Sequence, residues 1–298
     1  MKILIIGSKG FIGRHAYKYF HEKYSETYAA DVATDYVDKK YFLLDSTNSD
    51  FNEIFEAVKF DICINCSGAA SVPDSLHNTL RDFNLNAHNV LKIADSIKKH
   101  NPDCKLINLS SAAVYGNPKF LPICETDAIS PVSPYGYHKK FAEEILEEYY
   151  QLFRIQSCSL RIFSAYGEGL QKQLLWDVFS KSQTHENITL FGTGRETRDF
   201  IHVQDIIQCI DLIIDKGSFK ADVYNIANGE QISIKSIAES LLKNLRFIGK
   251  LSFSGEEREG DPLYWVADIM KIKNLGYQQQ VSISDGIKNY VKWAEDLK

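Results

Sequence analysis

The first thirteen residues limit what this chain can fold into more than any other stretch. Ile3-Leu4-Ile5-Ile6 is a short aliphatic run without alternation, the mark of a strand buried on both faces, and Gly7, Gly10 and Gly13 follow at intervals of three. Phe11, Ile12, Ala16, Tyr19 and Phe20 then recur with helical spacing. Glycines so placed permit a tight strand-to-helix turn and let the backbone approach a pyrophosphate, while N–H groups at the helix start point at the anion. Gly7, Gly10, Phe11, Ile12 and Gly13 are therefore expected to hold a dinucleotide.

Asp31 closes the next apolar run, 18 residues after Gly13. A carboxylate there accepts hydrogen bonds from the adenosine ribose hydroxyls and repels a 2′-phosphate. No Arg or Lys follows until Lys39, so NAD is favoured over NADP. Asp45, ending the third run, and its neighbour Ser46 are placed to reach the adenine side. Gly68-Ala69-Ala70 offers a path of small residues beneath the cofactor.

Over residues 1–165 short apolar runs alternate with amphipathic stretches, which predicts an α/β fold with a doubly wound parallel sheet of the Rossmann type. Strands are expected at Lys2–Ile6, Thr27–Ala30, Tyr41–Leu44, Asp61–Cys66, Lys105–Leu109 and Ser157–Phe163, with long helices at Ser75–His100 and Pro134–Phe153. Such sheets bind ligands at the C-terminal ends of their strands. Residues 166–298 read as a second, smaller α/β lobe, of which about 198–216 packs back on the first. The cleft between the lobes is the expected ligand site.

Lys and Arg number 34 against 39 Asp and Glu, a net charge of −5, too acidic for the broad positive field that nucleic acid or an anionic membrane requires. No apolar run approaches the length of a membrane span, and the chain is expected in the cytoplasm. Six cysteines are scattered rather than patterned. Cys63 and Cys66 lie three apart on a strand and so point to opposite faces, and no metal site is read.

Tyr135 and Lys139 stand one helical turn apart where a helix should begin. A neighbouring ammonium stabilises a phenolate and should draw the tyrosine down towards neutrality as an acid/base. The fifth strand ends in Ser110-Ser111-Ala112-Ala113-Val114-Tyr115-Gly116, where a hydroxyl can donate to a substrate oxygen whose charge changes during hydride transfer. Glycine loop, serine and Tyr-x-x-x-Lys fall in the order of a nicotinamide-linked carbonyl/alcohol enzyme.

With these motifs the sequence resembles the extended short-chain dehydrogenase/reductases, specifically their NAD-dependent nucleotide-sugar epimerase/dehydratase group, over essentially its whole length. The resemblance implies that Tyr135 is the acid/base, that Lys139 lowers its pKa and holds the nicotinamide ribose, that Ser111 bonds the reacting sugar oxygen, and that Asn84 supports the site. It implies that Arg198, in the segment Phe191–Val203, clamps the substrate diphosphate, with Arg258 and Asp261 as a second phosphate- and ribose-binding pair. Ser164 and Gln173 complete the implied substrate contacts.

Two departures narrow the reading. Ser164 stands where many members carry an asparagine, and Ala112 and Ala113 stand where the 4,6-dehydratases carry an Asp-Glu pair. Without those carboxylates water elimination lacks its acid and base. The expected function is a nucleotide-sugar epimerase inverting C4 through a 4-keto sugar, with a nucleotide-diphosphate sugar as partner and a homodimer as the assembly. The rivals are an NAD(P)H-dependent nucleotide-4-keto-6-deoxysugar reductase and a non-catalytic nucleotide-sensing module.

Overall fold

In the computed structural model, which describes residues 1–256 and 263–297, the first lobe is built on a seven-stranded parallel sheet. Its strands are β1 (Lys2–Ile6), β2 (Glu26–Asp31), β3 (Tyr41–Leu43), β4 (Ile62–Asn65), β5 (Lys105–Ser111), β6 (Ser157–Ile162) and a seventh, Lys220–Ile226. They lie in the order seventh, β6, β5, β4, β1, β2, β3, which places β1 in the interior. Period-two alternation explains why every apolar position of β1 is buried. Ile3 and Ile5 join one core with Ile62, Ile64, Ile107 and Leu109, while Leu4 and Ile6 join the opposite one with Cys63 and Leu106.

Helices cover both faces. Phe11–Lys23 and Val203–Lys216 pack on the first face through Ala16, Phe20, Ile206, Ile210 and Ile213. Asn52–Ala57, Asn89–His100 and Pro134–Phe153 cover the second through Phe55, Ile93, Ile97, Ala142 and Leu146. A third core, from helices Gln173–Ser182, Ile234–Asn244 and Ile283–Glu295 and strands Asn187–Leu190 and Lys250–Phe253, forms the smaller lobe.

The division at residue 165 is not where the cores divide. Strand Lys220–Ile226, read as part of the second lobe, pairs with β6 and completes the sheet. Trp265, Ala267, Ile269 and Tyr277 return to the first core as well. The long helix expected at Ser75–His100 is also broken, into Val72–His77, Thr79–Phe83, a π-helical turn at Asn84–His88, and Asn89–His100. Asn78 causes the first break: at φ −124°, ψ 52° it leaves helical geometry, and its side chain bonds Asp74 instead.

Candidate active site

The glycine loop leaves β1 at Gly7, whose φ of +79° lies in the left-handed region that glycine alone adopts freely. A β-carbon on Gly13 would stand 2.0 Å from the Gly7 carbonyl oxygen, so strand and helix touch backbone to backbone. Gly10 caps helix Phe11–Lys23 without any side-chain hydrogen bond, which leaves the first-turn N–H groups for an anion. Such a turn fits a pyrophosphate. Asp31 closes over it, accepting from Lys9 N at 2.8 Å and from the amides of Val32 and Ala33 at 2.8 and 3.2 Å. Asp45 and Ser46 are exposed at the end of β3, with Asp45 folded into a turn by the hydroxyl and amide of Thr47.

Ser111 ends β5 half-buried and accepts from Ala113 N at 3.1 Å, which leaves its own hydroxyl hydrogen for the Tyr135 phenol oxygen. Tyr135 is held here by the start of its helix. Ser133 caps that helix through Gly136 N, Ser75 Oγ accepts from Tyr135 N at 3.2 Å, and a β-carbon on Gly136 would meet the Ala113 carbonyl at 2.6 Å. Lys139 follows on the same face, buried, its Nζ donating to the Leu109 carbonyl at 2.8 Å and lying 5.8 Å from the Tyr135 ring centroid. Gly68, at φ +125°, passes over this lysine, and Ala69 and Ala70 continue the loop.

The electrostatics differ from the sequence expectation. Burial pushes Tyr135 up to about 12, the Ser111 hydrogen bond pulls against it, and the negative charge of Asp82 raises it further. Lys139 is drawn down to about 8 by burial, opposed by Asp82, Glu143 and Cys66. In the free protein burial therefore keeps the phenol above its ordinary value. Burial also drives Cys66 up to about 12 and Cys63 well above its ordinary value, so both are inert thiols.

Asn84 is exposed, and Asn86 takes the place expected of it. The reason is helical phase: Asp82 and Asn86 share the inner face one turn apart, and position 84 falls on the outer one. Asn86 donates to Asp82 Oδ2 at 3.0 Å, and Asp82 Oδ1 lies 2.6 Å from His138 Nδ1. Asn86 Oδ1 is buried without a partner and sits 2.5 Å from where a Gly68 β-carbon would be, beside Lys139. His138, between Tyr135 and Lys139 in sequence, and the pair Asp82/Asn86 at helical spacing were the signals available for this network.

Beneath Ser111 lies a second network. Arg161 grips Glu143 with Nη2 to Oε2 at 2.7 Å and Nε at 3.1 and 3.2 Å from the two oxygens. Glu143 also takes the Ser110 hydroxyl at 2.5 Å, and Arg161 donates to Tyr115 Oη at 2.8 Å.

Towards the smaller lobe, Ser164 donates from its amide to the Asp199 carbonyl at 2.9 Å, next to Arg198. The Arg198 guanidinium bonds the Thr197 carbonyl and lies 5.7 Å from the Trp265 ring centroid. Trp265 packs on Phe163 and donates to the Gly116 carbonyl at 3.0 Å, tying this region to the Ser111 loop. Gln173 begins its helix exposed and at φ +63°. Arg258 and Asp261 lie outside the described residues. Glu168, which sequence reasoning missed, takes the His202 ring at 3.0 Å, while its carbonyl meets His15 of the glycine-loop helix at 2.8 Å. Among the described residues no cluster of His, Cys, Asp and Glu could hold a metal ion.

The family model described as "NAD dependent epimerase/dehydratase family" matches residues 3–227. The chain belongs to that family. Extended short-chain dehydrogenase/reductase architecture is thereby assigned, and this family member is an enzyme. It is similar to the UDP-glucose 4-epimerase of Lactobacillus helveticus, 27% identical over 98% of this chain and 97% of the relative. The UDP-glucuronic acid 4-epimerase of Bacillus cereus, solved with UDP-glucuronic acid and NAD, superposes with a TM-score of 0.89 at 25% identity over the whole of both chains. The UDP-glucose 4-epimerase of Thermotoga maritima, at 23% identity and a TM-score of 0.88, shares the fold over 100% of this chain and 99% of its own.

Proposed function

We propose that this family member is a nucleotide-sugar epimerase that inverts C4 of a nucleoside-diphosphate sugar, with NAD retained in the first lobe. The observation that carries the reading is the Tyr135 phenol, facing Ser111 at the C-terminal edge of the sheet, with Lys139 one turn on and alanines at 112 and 113. The uncapped helix start, the glycine turn and Asp31 would hold the pyrophosphate and adenosine ribose, and Lys139 the nicotinamide ribose. NAD, when bound, takes up and returns a hydride, and its oxidised ring adds the positive charge that favours a phenolate.

Tyr135 removes the proton of the C4 hydroxyl as the hydride leaves the same carbon, giving a 4-keto sugar. The Ser111 hydroxyl stabilises charge on that oxygen. The ketone would turn to present its other face for reduction, and Tyr135 would give the proton back to the C4 oxygen, so nothing is consumed. Arg198, together with the other implied substrate contacts Ser164, Gln173, Arg258 and Asp261, would keep the intermediate tethered. With no acid pair after Ser111 the ketone has no route to water loss.

The test is Tyr135→Phe, assayed with UDP-glucose, UDP-N-acetylglucosamine and UDP-glucuronate by separating the C4 epimers. Turnover should drop by about 10²–10⁴ while bound NAD and melting temperature stay at parental values. A folded variant with full turnover would falsify the assignment.

The assembly supported best is a homodimer through the outer faces of helices Thr79–Phe83 and Pro134–Phe153. Leu80 is 73% exposed, and Phe83, Tyr137 and Phe141, linked by ring contacts, add apolar, aromatic surface on the same two helices. No helix among the described residues is long and apolar enough to cross a membrane, and a cytoplasmic setting accords with the nucleotide-sugar substrate.

A further inference from the structure

The adenosine end of the cofactor site holds a cation that the order of residues along the chain conceals. Lys9 lies inside the glycine loop, and its amide donates to Asp31 Oδ2 at 2.8 Å, so its side chain starts at the ribose-reading carboxylate. Its ammonium, at the end of a side chain 43% exposed, is bound to Asp35 Oδ2 and stands 5.2 Å from the Tyr41 ring centroid. Asp35 is itself fixed, since its other oxygen accepts the amides of Val37 and Asp38 at 2.9 and 3.1 Å. Lys9 and the two backbone amides hold its carboxyl down at about 2, so it stays ionised at any working pH. The charges of Asp31 and Asp35 both bear on Tyr41, placing lysine and carboxylates in one neighbourhood. Lys40 is engaged elsewhere, with Glu26 and the Ser25 carbonyl.

We propose that Asp35 is a specificity-determining residue: by holding Lys9 in an ion pair it withholds from the adenosine ribose edge a cation that would accept a 2′-phosphate. Asp31 alone repels that phosphate, but a free lysine beside it would compensate, because an ammonium binds phosphate as a point charge and needs little geometric matching. Two carboxylates and one paired lysine leave the edge net negative. NAD binds there through hydroxyls and is indifferent to the pair, whereas NADP meets an uncompensated carboxylate.

The inference rests on the NAD site proposed above, and the experiment separates the two. Holoenzyme is equilibrated with an excess of equimolar NAD and NADP until the bound ratio is constant, passed through gel filtration and denatured, and the released nucleotides are quantified. Asp35→Asn keeps the Oδ1 acceptor for Val37 and Asp38 and removes only the charge. The bound NADP:NAD ratio should rise about tenfold in that variant and return to within about twofold of the parent in Lys9→Met/Asp35→Asn. Lys9→Met alone should not raise the ratio, because it leaves Asp31 and Asp35 both uncompensated. An unchanged ratio in Asp35→Asn overturns the proposal, and so does a rise that survives loss of Lys9, which would make simple charge removal the cause. A rise in NADP binding on Lys9→Met alone overturns it too, since the ammonium would then be what excludes the phosphate. A parent that binds neither nucleotide would instead refute the cofactor site itself.

Discussion

Glu143→Gln isolates the buried ion pair beneath Ser111. The substitution is isosteric, but it leaves the Arg161 guanidinium, 3% exposed, without its counter-charge and removes the charged acceptor of the Ser110 hydroxyl. Removing one member of a buried pair costs about 3–5 kcal/mol, because the remaining charge keeps its desolvation penalty and loses its compensation. For 298 residues the unfolding entropy is about 0.6 kcal/mol/K, so the melting temperature should fall by about 5–8 °C. Thermal unfolding followed by circular dichroism reads this directly. Replacing both partners, Glu143→Leu with Arg161→Met, should cost less than the sum of the single changes, since no charge is stranded. A single variant melting within about 2 °C of the parent, or a double variant as costly as the sum, would refute the reasoning.

Two further outcomes follow from the geometry. Hydrogen bonding to His202 holds the Glu168 carboxyl below its ordinary 4.5, so its stabilising contribution is complete above that value and lost as pH falls through the lower native one. Glu168→Gln should therefore flatten the melting temperature against pH as pH falls below about 4.5, and parallel curves for parent and variant would count against the clamp. If the apolar face around Leu80 is the dimer contact, light scattering should give twice 33.9 kDa for the parent and one chain mass for Leu80→Glu/Phe141→Glu. A parent at one chain mass rules the dimer out.

Features written in short spacings were legible in the sequence. The glycine turn, the strand before it, and Tyr135 with Lys139 depend on residues within a turn or two of one another, and periodicity reports those directly. What escaped depends on tertiary approach or on phase. Lys9 and Asp31 are 22 residues apart, and only the closing of the loop onto β2 brings them together. The buried asparagine is Asn86 rather than Asn84 because it shares a helix face with Asp82, a phase that shows only once the inward face of the helix is known. The pKa of Tyr135 went the opposite way because burial is a property of the fold, while the sequence showed only the neighbouring ammonium. Lys220–Ile226 looked like part of the second lobe because its pairing partner β6 precedes it by some 60 residues.

That late strand bears on how the protein is made. Until Lys220–Ile226 leaves the ribosome, β6 presents one open row of amide and carbonyl groups, and Tyr224 and Ile226 are missing from the core that already includes Ile3 and Ile5. The N-terminal lobe therefore cannot finish folding during synthesis of its own stretch of chain. The nascent protein carries a nearly complete sheet with an unprotected edge while the first helix and strand of the smaller lobe, Gln173–Ser182 and Asn187–Leu190, emerge.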